Sequence, residues 1–178
     1  MALLDIENLR IEFSSRRGNV VAIQDVSLSL DKGEILGVVG ESGAGKSTIG
    51  NAVIGLLEAP GKMTGGAVLL NGERIDQLSA SAFRLVRGRR IGMIFQDPLT
   101  SLDPLQTIGH QLVETMQVHL QLSQQQASAR AVELLESVGI EQARIRLQHY
   151  PHQFSGGMRQ RVVIALALCC EPEVIIAD

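Results

Sequence analysis

The sequence has 178 residues, 45% of them hydrophobic, which is enough for one domain with its own core or one domain with a small insertion. A formal net charge of −3 argues against a nucleic-acid-binding surface, which needs an excess of basic residues. No apolar run reaches the ~18 residues that a membrane-spanning helix needs, and the acidic, alternating start, MALLDIENLRIEF, predicts neither a signal nor a transit peptide.

The first half of the chain reads mainly as strands. LLDIENLRIEF and VVAIQDVSLSL alternate apolar and polar residues on either side of a turn, which predicts two hairpin-type strands with one buried face. ILGVVG is apolar throughout and predicts a strand covered on both faces, and STIGNAVIGLL predicts a helix after it. GAVLLNG predicts a short strand, SASAFRLVRG a short helix with a Ser cap and a Gly stop, and IGMIF a buried strand.

The second half changes in character at Pro98. A Pro-punctuated loop, DPLTSLDPLQT, is followed by three amphipathic helical segments without strands between them: TIGHQLVETMQVHL, SQQQASARAVELLESVG and EQARIRL. A further helix, SGGMRQRVVIALALCC, leads to a final apolar strand. Strand–helix alternation on both sides of a helical block predicts an α/β core, residues 1–97 and 156–178, with a helical subdomain at 98–155.

We expect structural roles for three groups of reactive or charged side chains: two cysteines, four arginines and four histidines. Cys169 and Cys170 are adjacent in an apolar helical run, where neighbouring side chains point in different directions. We therefore expect two buried small hydrophobic side chains, not a disulfide or a metal site, which suits a reducing compartment. The other groups are Arg84, Arg87, Arg89 and Arg90, expected on a solvated helix face, and His110, His119, His149 and His152, which lack metal-ligand spacing.

The stretch GESGAGKS, residues 40–47, matches the phosphate-binding pattern G-x-x-x-x-G-K-[ST] between an apolar run and a helix. Its glycines let successive backbone N–H groups turn inward toward a phosphate, and the helix start adds about half a positive charge. Lys46 would meet the β- and γ-phosphates, and Ser47 would offer its hydroxyl to Mg²⁺. The alternative is an ordinary glycine-rich turn. The residues assigned to the nucleotide are Gly40, Glu41, Ser42, Gly43, Ala44, Gly45, Lys46, Ser47 and Thr48.

The sequence closes with EVIIAD, an apolar strand that leads into Asp178. Proteins with this phosphate-binding loop hold Mg²⁺ with the Ser or Thr of the loop and with an aspartate on a second strand. Asp178 is therefore the candidate for the second protein ligand of Mg²⁺. The alternative is a terminal carboxylate with no such role.

The stretch FSGGMRQR, residues 154–161, predicts a second anion site. Ser155 would cap a helix, and Gly156 and Gly157 would open its first turn with free backbone N–H groups. One nucleotide does not need two such sites from the same chain. The economical arrangement is two facing chains, in which the nucleotide on one phosphate-binding loop meets the Ser-Gly-Gly of the partner.

With these motifs the sequence resembles the ATP-binding-cassette (ABC) ATPases over essentially all of its length. GESGAGKS is similar to the Walker A motif of that family, FQDP to its Q-loop, FSGGMRQR to its signature and VIIAD to its Walker B motif. The signature departs from the usual Leu-Ser-Gly-Gly-Gln at two places. Phe154 keeps an apolar anchor, whereas Met158 lacks the polar side chain of Gln, which puts a side-chain contact with nucleotide in doubt.

The resemblance implies an α/β P-loop NTPase with a RecA-like core, an antiparallel β-subdomain and a helical insertion. It implies ATP and Mg²⁺ as cofactors, and Gln96 as a contact to the metal and the attacking water. The implied catalytic residues are Gln96 and Asp178, the metal ligands Ser47, Gln96 and Asp178, and the signature contacts Ser155, Gly156, Gly157 and Met158. It also implies that Phe13 stacks on adenine. The alternative is a half-buried strand aromatic.

Within the family, GESGAGKST, IFQDPLTSLDPL and YPHQFSGGMRQRV are most similar to the dipeptide, oligopeptide and nickel importer ATPases. This implies an ATPase held peripherally on the cytoplasmic face of the inner membrane by a transmembrane permease, whose coupling helix docks near the Q-loop. The other implied partners are a second ABC subunit, identical or paralogous, and indirectly a substrate-binding protein. Nucleic acid is not expected. The alternative is a soluble ABC-type ATPase of DNA repair or translation.

The resemblance further implies a general-base glutamate, a D-loop and a histidine switch after Asp178, and none lies within the 178 residues. We therefore expect a C-terminally truncated chain that binds nucleotide weakly and does not hydrolyse ATP, since a missing general base commonly costs ~10²–10⁴ in rate. We also expect an open sheet edge and non-native association.

Overall fold

The computed structural model describes residues 2–16 and 18–178. The chain divides into two compact units, Met1–Arg84 and Leu85–Asp178. Helix α2 (Ala80–Val86) spans the division and has the predicted serine cap, because the Ala82 N–H donates to Ser79 Oγ at 3.3 Å. The predicted division into residues 1–97 with 156–178 and residues 98–155 stays a prediction.

The first unit is built on a four-stranded antiparallel sheet in the order β2-β1-β3-β4, with helix α1 and the first part of α2. The Asn71–Gly72 turn joins β3 to β4 with φ angles of 53° and 78°, the left-handed pair that Asn-Gly adopts in hairpins. The two alternating strands are confirmed, and the first helix is present but ends at Val53, four residues before the end of the predicted segment. The bounds are β1 Leu4–Ser15, β2 Gly18–Leu30, α1 Lys46–Val53, β3 Gly61–Leu70 and β4 Glu73–Arg74.

A β-bulge in β1 keeps its apolar side chains on the buried face. Leu4 and Ile6 precede the bulge and Leu9 and Ile11 follow it, and none is more than 5% exposed. The pairing of β1 with β2 shifts between Ile6 and Leu9. Because side chains alternate with a period of two, one extra residue returns the later side chains to the core.

Asp76 fastens the end of the β3–β4 hairpin. Its carboxylate accepts the Val68 N–H at 3.0 Å and a guanidinium N–H of Arg74 at 2.7 Å. Burial acts to raise the pKa of Asp76, but the hydrogen bonds from Arg74 and Val68 outweigh it, so the pKa is lowered from its usual value. Asp76 is therefore an ionised structural anchor at neutral pH.

The segment ILGVVG, residues 35–40, is not a strand covered on both faces, so that prediction was wrong. No described residue pairs with it in a ladder. Ile35 and Val39 are 97% and 92% exposed, and Leu36 and Val38 are 42% and 49% exposed. A strand forms only where a neighbour satisfies its backbone N–H and C=O groups, and an apolar sequence alone does not supply that neighbour.

The second unit combines a helical core with two parallel strands, β5 and β6. A short helix, α3, takes up part of the predicted proline-rich loop, because Asp97 caps it and Pro98 occupies its first turn. The other predicted helices are present, although the last ends before the cysteine pair. The bounds are β5 Ile91–Ile94, α3 Pro98–Ser101, α4 Ile108–Leu120, α5 Gln124–Ser137, α6 Ala143–Arg146, a 3₁₀ turn Pro151–Gln153, α7 Gly156–Leu168 and β6 Val174–Ala177.

The helices α4, α5 and α7 share one apolar core, which includes the fully buried Leu112, Met116 and Leu135. Side-chain caps fix where α4 and α5 begin: Thr107 accepts the His110 N–H, and Ser123 forms a capping box with Gln126. None of the helices in the described part of the chain has the length and apolar character that crossing a membrane requires.

The four arginines do not share a solvated helix face, so that expectation was wrong. Helix α2 ends at Val86, and only Arg84 of the four lies on it. Arg89 Nη1 donates to the Cys170 carbonyl at 2.9 Å, and Arg90 Nε donates to the Glu173 carboxylate at 2.7 Å. These two arginines therefore hold the segment that leads into β6.

Candidate functional site

Two glycines of the loop GESGAGKS have backbone conformations that other residues rarely adopt. Gly43 and Gly45 have φ angles of 81° and 91°, in the left-handed region that favours glycine. Gly45 is the N-cap of α1, and a Cβ there would collide with Ile23 Cδ1 of β2. The loop therefore turns tightly into the helix at a point where only glycine fits against the sheet.

Lys46 lies across this loop. Its Nζ donates to the carbonyl oxygens of Gly40 at 2.9 Å and Glu41 at 2.8 Å, and the Ala44 N–H donates to the Glu41 carbonyl at 3.1 Å. The loop thus curls around the ammonium group. A full positive charge and the positive end of α1 stand together, as an anion site requires.

The remaining assigned residues of the loop are accessible. Thr48 is half-buried, and Ser47 is exposed in the first turn of α1. Their hydroxyl oxygens are of the hard type that Mg²⁺ prefers. The other exposed residues of the motif are Gly40, Glu41, Ser42, Gly43 and Ala44.

Gln96 and Asp178 follow the carboxyl ends of the two parallel strands, β5 and β6. Ile94 and Ala177 are partners in the register of β5 and β6, and the Asp178 N–H donates to the Ile94 carbonyl at 3.0 Å. Both Gln96 and Asp178 are exposed. Ligands of α/β proteins bind at the carboxyl ends of such strands. The structure therefore brings these two predicted residues together, whereas their approach to Ser47 stays a prediction.

Asp97, which follows Gln96 after the carboxyl end of β5, has a structural role that the sequence analysis did not predict. Its carboxylate accepts the Leu99 N–H at 2.8 Å and its carbonyl accepts the Ser101 hydroxyl at 2.8 Å, which fixes the chain just after Gln96. The sequence did contain an indication of this role, because an Asp-Pro pair is a common start of a helix.

The signature segment forms the predicted helix start. Ser155 is the N-cap of α7, and its Oγ accepts the Met158 N–H at 3.4 Å. A Cβ added to Gly156 or Gly157 would meet no atom of this chain within 4 Å. No side chain or neighbouring segment among the described residues therefore requires glycine at these two positions. Met158 is half-buried and contacts the helical core, so its side chain anchors the helix.

Two arginines of the signature hold α7 in place, a role that the sequence did not indicate. Arg159 Nε donates to the Pro151 carbonyl at 2.8 Å, and Arg161 Nη1 donates to the Gly139 carbonyl at 2.8 Å. Both guanidinium groups therefore donate hydrogen bonds to backbone carbonyls of neighbouring segments. These bonds fix the direction in which α7 begins.

Phe13 lies near the end of β1, half-buried and opposite Gly61 of β3. A Cβ on Gly61 would stand 2.8 Å from the Phe13 ring, so the ring covers the Gly61 backbone. This contact fits the structural alternative, and the stacking of Phe13 on adenine stays a prediction.

Comparison with known proteins assigns the family. The model of the ABC transporter family matches residues 23–178. The chain is 47% identical over 177 residues to the oligopeptide transport ATP-binding protein OppD of Escherichia coli K12, covering 99% of this chain and 52% of that protein. It is 45% identical to the dipeptide transport ATP-binding protein DppD of Bacillus subtilis, covering 99% and 53%. The chain spans about half the length of the curated relatives it matches.

Solved structures agree with the family assignment. A dimeric, post-hydrolysis state of the ATP-binding cassette MJ0796 bound to ADP and Pi superimposes with a TM-score of 0.87 and 29% identity, covering 98% of this chain and 73% of that one. The cassette cbiO1 of Clostridium perfringens gives 0.78 and 27%, with 99% and 65% covered. The α/β P-loop NTPase fold is thereby confirmed, and the chain belongs to the ABC transporter family of ATP-binding proteins.

Proposed function

We propose that this chain is the nucleotide-binding part of an ATP-driven peptide importer. The observation that carries the proposal is its similarity to oligopeptide and dipeptide transport ATP-binding proteins, which extends over 99% of the chain at 47% and 45% identity. The glycine-rich loop and Lys46 supply the phosphate-binding chemistry that such a role needs. The relatives named above are transport proteins, so they give no support to a role in DNA repair or translation.

The nucleotide would bind with its phosphates in the glycine-rich loop. Free backbone N–H groups of the loop and the start of α1 would favour the negative charge. Lys46 would exchange its two bonds to carbonyl oxygens for bonds to the β- and γ-phosphates. Because those are hydrogen bonds between ionised groups, they are stronger than the bonds to neutral carbonyls that they replace.

The three residues assigned to Mg²⁺ would supply oxygen ligands, which this ion prefers, and nucleotide phosphates and waters would complete its shell. Ser47 offers a hydroxyl, Gln96 an amide carbonyl and Asp178 a carboxylate. When bound, Mg²⁺ neutralises charge that develops on the phosphates. Asp178 would hold the ion, and Gln96 would orient water, since both lie at the carboxyl edge of β5 and β6.

A second cassette, identical or paralogous, would complete the site. The open space at Gly156 and Gly157 and the Ser155 cap would receive the γ-phosphate of a nucleotide held by the partner. The structure of MJ0796 with ADP and Pi is dimeric, which supports this arrangement. Transmembrane permease subunits would hold the pair at the cytoplasmic face of the membrane, and a substrate-binding protein would deliver the peptide.

The proposal is tested by the uptake of a labelled oligopeptide in the source organism. A chromosomal Lys46→Ala substitution is expected to reduce that uptake to the background level, because the phosphate site no longer works, and to leave the uptake of free amino acids unchanged. The control is Lys62→Ala, which removes the same charge from an exposed position on β3. Undiminished peptide uptake in the Lys46→Ala strain would contradict the assignment to peptide import without contradicting nucleotide binding.

A further inference from the structure

The only two cysteines of the sequence lie side by side where α7 ends, and the proposed function uses neither. The helix stops at Leu168 and Cys169 is its C-cap. Both thiols are fully buried, and their sulfur atoms are 3.7 Å apart. The sequence predicts two buried small hydrophobic side chains that point in different directions. They are buried, but at the helix end they face each other.

The spacing of the sulfur atoms suits one bridging atom. Both cysteines are free thiols, and their sulfur atoms are in non-bonded contact at 3.7 Å. Two bonds of about 2.3 Å to one centre, at an angle near tetrahedral, hold two sulfurs about 3.8 Å apart. The pair is therefore spaced to chelate a single thiophilic atom with little movement.

The residues around the two cysteines limit which thiophilic atom the pair can bind. No group of three or more metal-ligating side chains occurs among the described residues, so an ion that needs four protein ligands is not satisfied here. Entry of a charged species into a fully buried site is costly. A neutral molecule that brings its own third ligand and takes two sulfurs from the protein meets both conditions.

The two thiols differ in reactivity. The hydrogen bond between them lowers the pKa of Cys170, and the nearby Arg89 and Arg130 act in the same direction. The same hydrogen bond and burial raise the pKa of Cys169. Cys170 is thus the better nucleophile and Cys169 the second ligand. Arg89 also holds the Cys170 carbonyl at 2.9 Å, which fixes the backbone of the pair.

Access requires a small local opening. The cysteines lie between Leu168, which is 38% exposed, and the exposed Glu171. Both cysteines belong to the helical core, and core segments open at higher free energies than chain termini and loops do. Binding should therefore be slow and limited by this opening.

We propose that Cys169 and Cys170 form a bidentate site for trivalent arsenic, taken up as neutral arsenous acid. Two As–S bonds form and two As–OH bonds break. The two thiol protons leave with the two hydroxides as water, and the third hydroxyl stays on arsenic. No oxidation state changes, so no oxidant or reductant is needed.

The test uses the reduced 178-residue chain in thiol-free buffer with sodium arsenite. Equilibrium dialysis with elemental analysis is expected to show one arsenic per chain. Cys169→Ala and Cys170→Ala each keep one thiol and are expected to lose at least tenfold in arsenic affinity. Because the paired site is already formed in the folded chain, arsenite should also raise the melting temperature of the unsubstituted chain.

The direction of the change in melting temperature distinguishes arsenic bound by the folded chain from arsenic bound by the two thiols of the unfolded chain. A fall in melting temperature, or no change, would overturn the proposal, because the folded chain would then not hold arsenic in preference to the unfolded chain. Two arsenic atoms per chain, or undiminished binding by either single variant, would also overturn it. The stoichiometry and the shift are both measured on the unsubstituted chain, so the test survives a variant that does not fold.

Discussion

Replacing Lys46 by Ala is expected to weaken the binding of Mg-ATP to this chain by about 10- to 100-fold, which corresponds to the loss of one strong bond to a charged group. In the structure the ammonium group already stands at the loop, bonded to the carbonyls of Gly40 and Glu41. Little reorganisation is therefore needed to meet a phosphate. The measurement is an equilibrium titration with a fluorescent ATP analogue in the presence of Mg²⁺.

Two further variants show whether the affinity for Mg-ATP depends on the charge of Lys46 or on the geometry of its ammonium group. Lys62→Ala removes the same charge from an exposed strand position and should leave the affinity unchanged. Lys46→Arg keeps the charge, but a planar guanidinium does not fit where a compact ammonium sits, so we expect an intermediate affinity. An affinity for Lys46→Ala within twofold of the unsubstituted chain would remove Lys46 from the phosphate site.

The Gly66→Ala substitution is expected to destabilise the first unit by about 3 kcal/mol or more, because it combines a strained backbone with a steric clash. Gly66 has a φ of 90°. A Cβ there would collide with the Glu7 carbonyl oxygen and stand 2.6 Å from the Asn8 carbonyl oxygen. Both oxygens are backbone atoms at the β1 bulge, so relief requires breaking the pairing of β1 with β3.

The neighbouring Gly65 is the matched control. Its φ is not in the left-handed region, and a Cβ there would stand 3.4 Å from Arg10 Cβ, which a small shift accommodates. We expect Gly65→Ala to change stability by no more than about 1 kcal/mol. Thermal unfolding followed by circular dichroism compares the two. Equal melting temperatures for the two variants would show that the bulge does not constrain Gly66.

The features that the sequence predicted well depend on neighbours close along the chain. A serine or threonine before a helix caps that helix through a backbone N–H two or three residues later, as Ser79 and Ser155 do. The Asn71–Gly72 turn and the left-handed Gly45 follow from the conformational range of those residues. For the same reason the glycine-rich loop and the start of α7 could be located without a structure.

The features that the sequence did not predict depend on distant partners. Residues 35–40 have a strand-like composition but no paired neighbour among the described residues, and composition does not encode pairing. Arg89 and Arg90 were assigned to a helix face, yet they bond to residues about eighty positions away. Helix α7 ends at Leu168, two residues before the end of its apolar run, so the contact between Cys169 and Cys170 could not be predicted from a regular helix.

The central claim is that this chain recognises a nucleotide through its phosphates, and competition by a series of nucleotides tests it most directly. A fluorescent ATP analogue bound to the 178-residue chain with Mg²⁺ would be displaced by ATP, ADP and AMP in turn. The loop and Lys46 act on the β- and γ-phosphates, so ATP and ADP should displace it at least about tenfold more effectively than AMP. Displacement by AMP at the same concentration as ATP, or no saturable binding of the analogue, would contradict the claim.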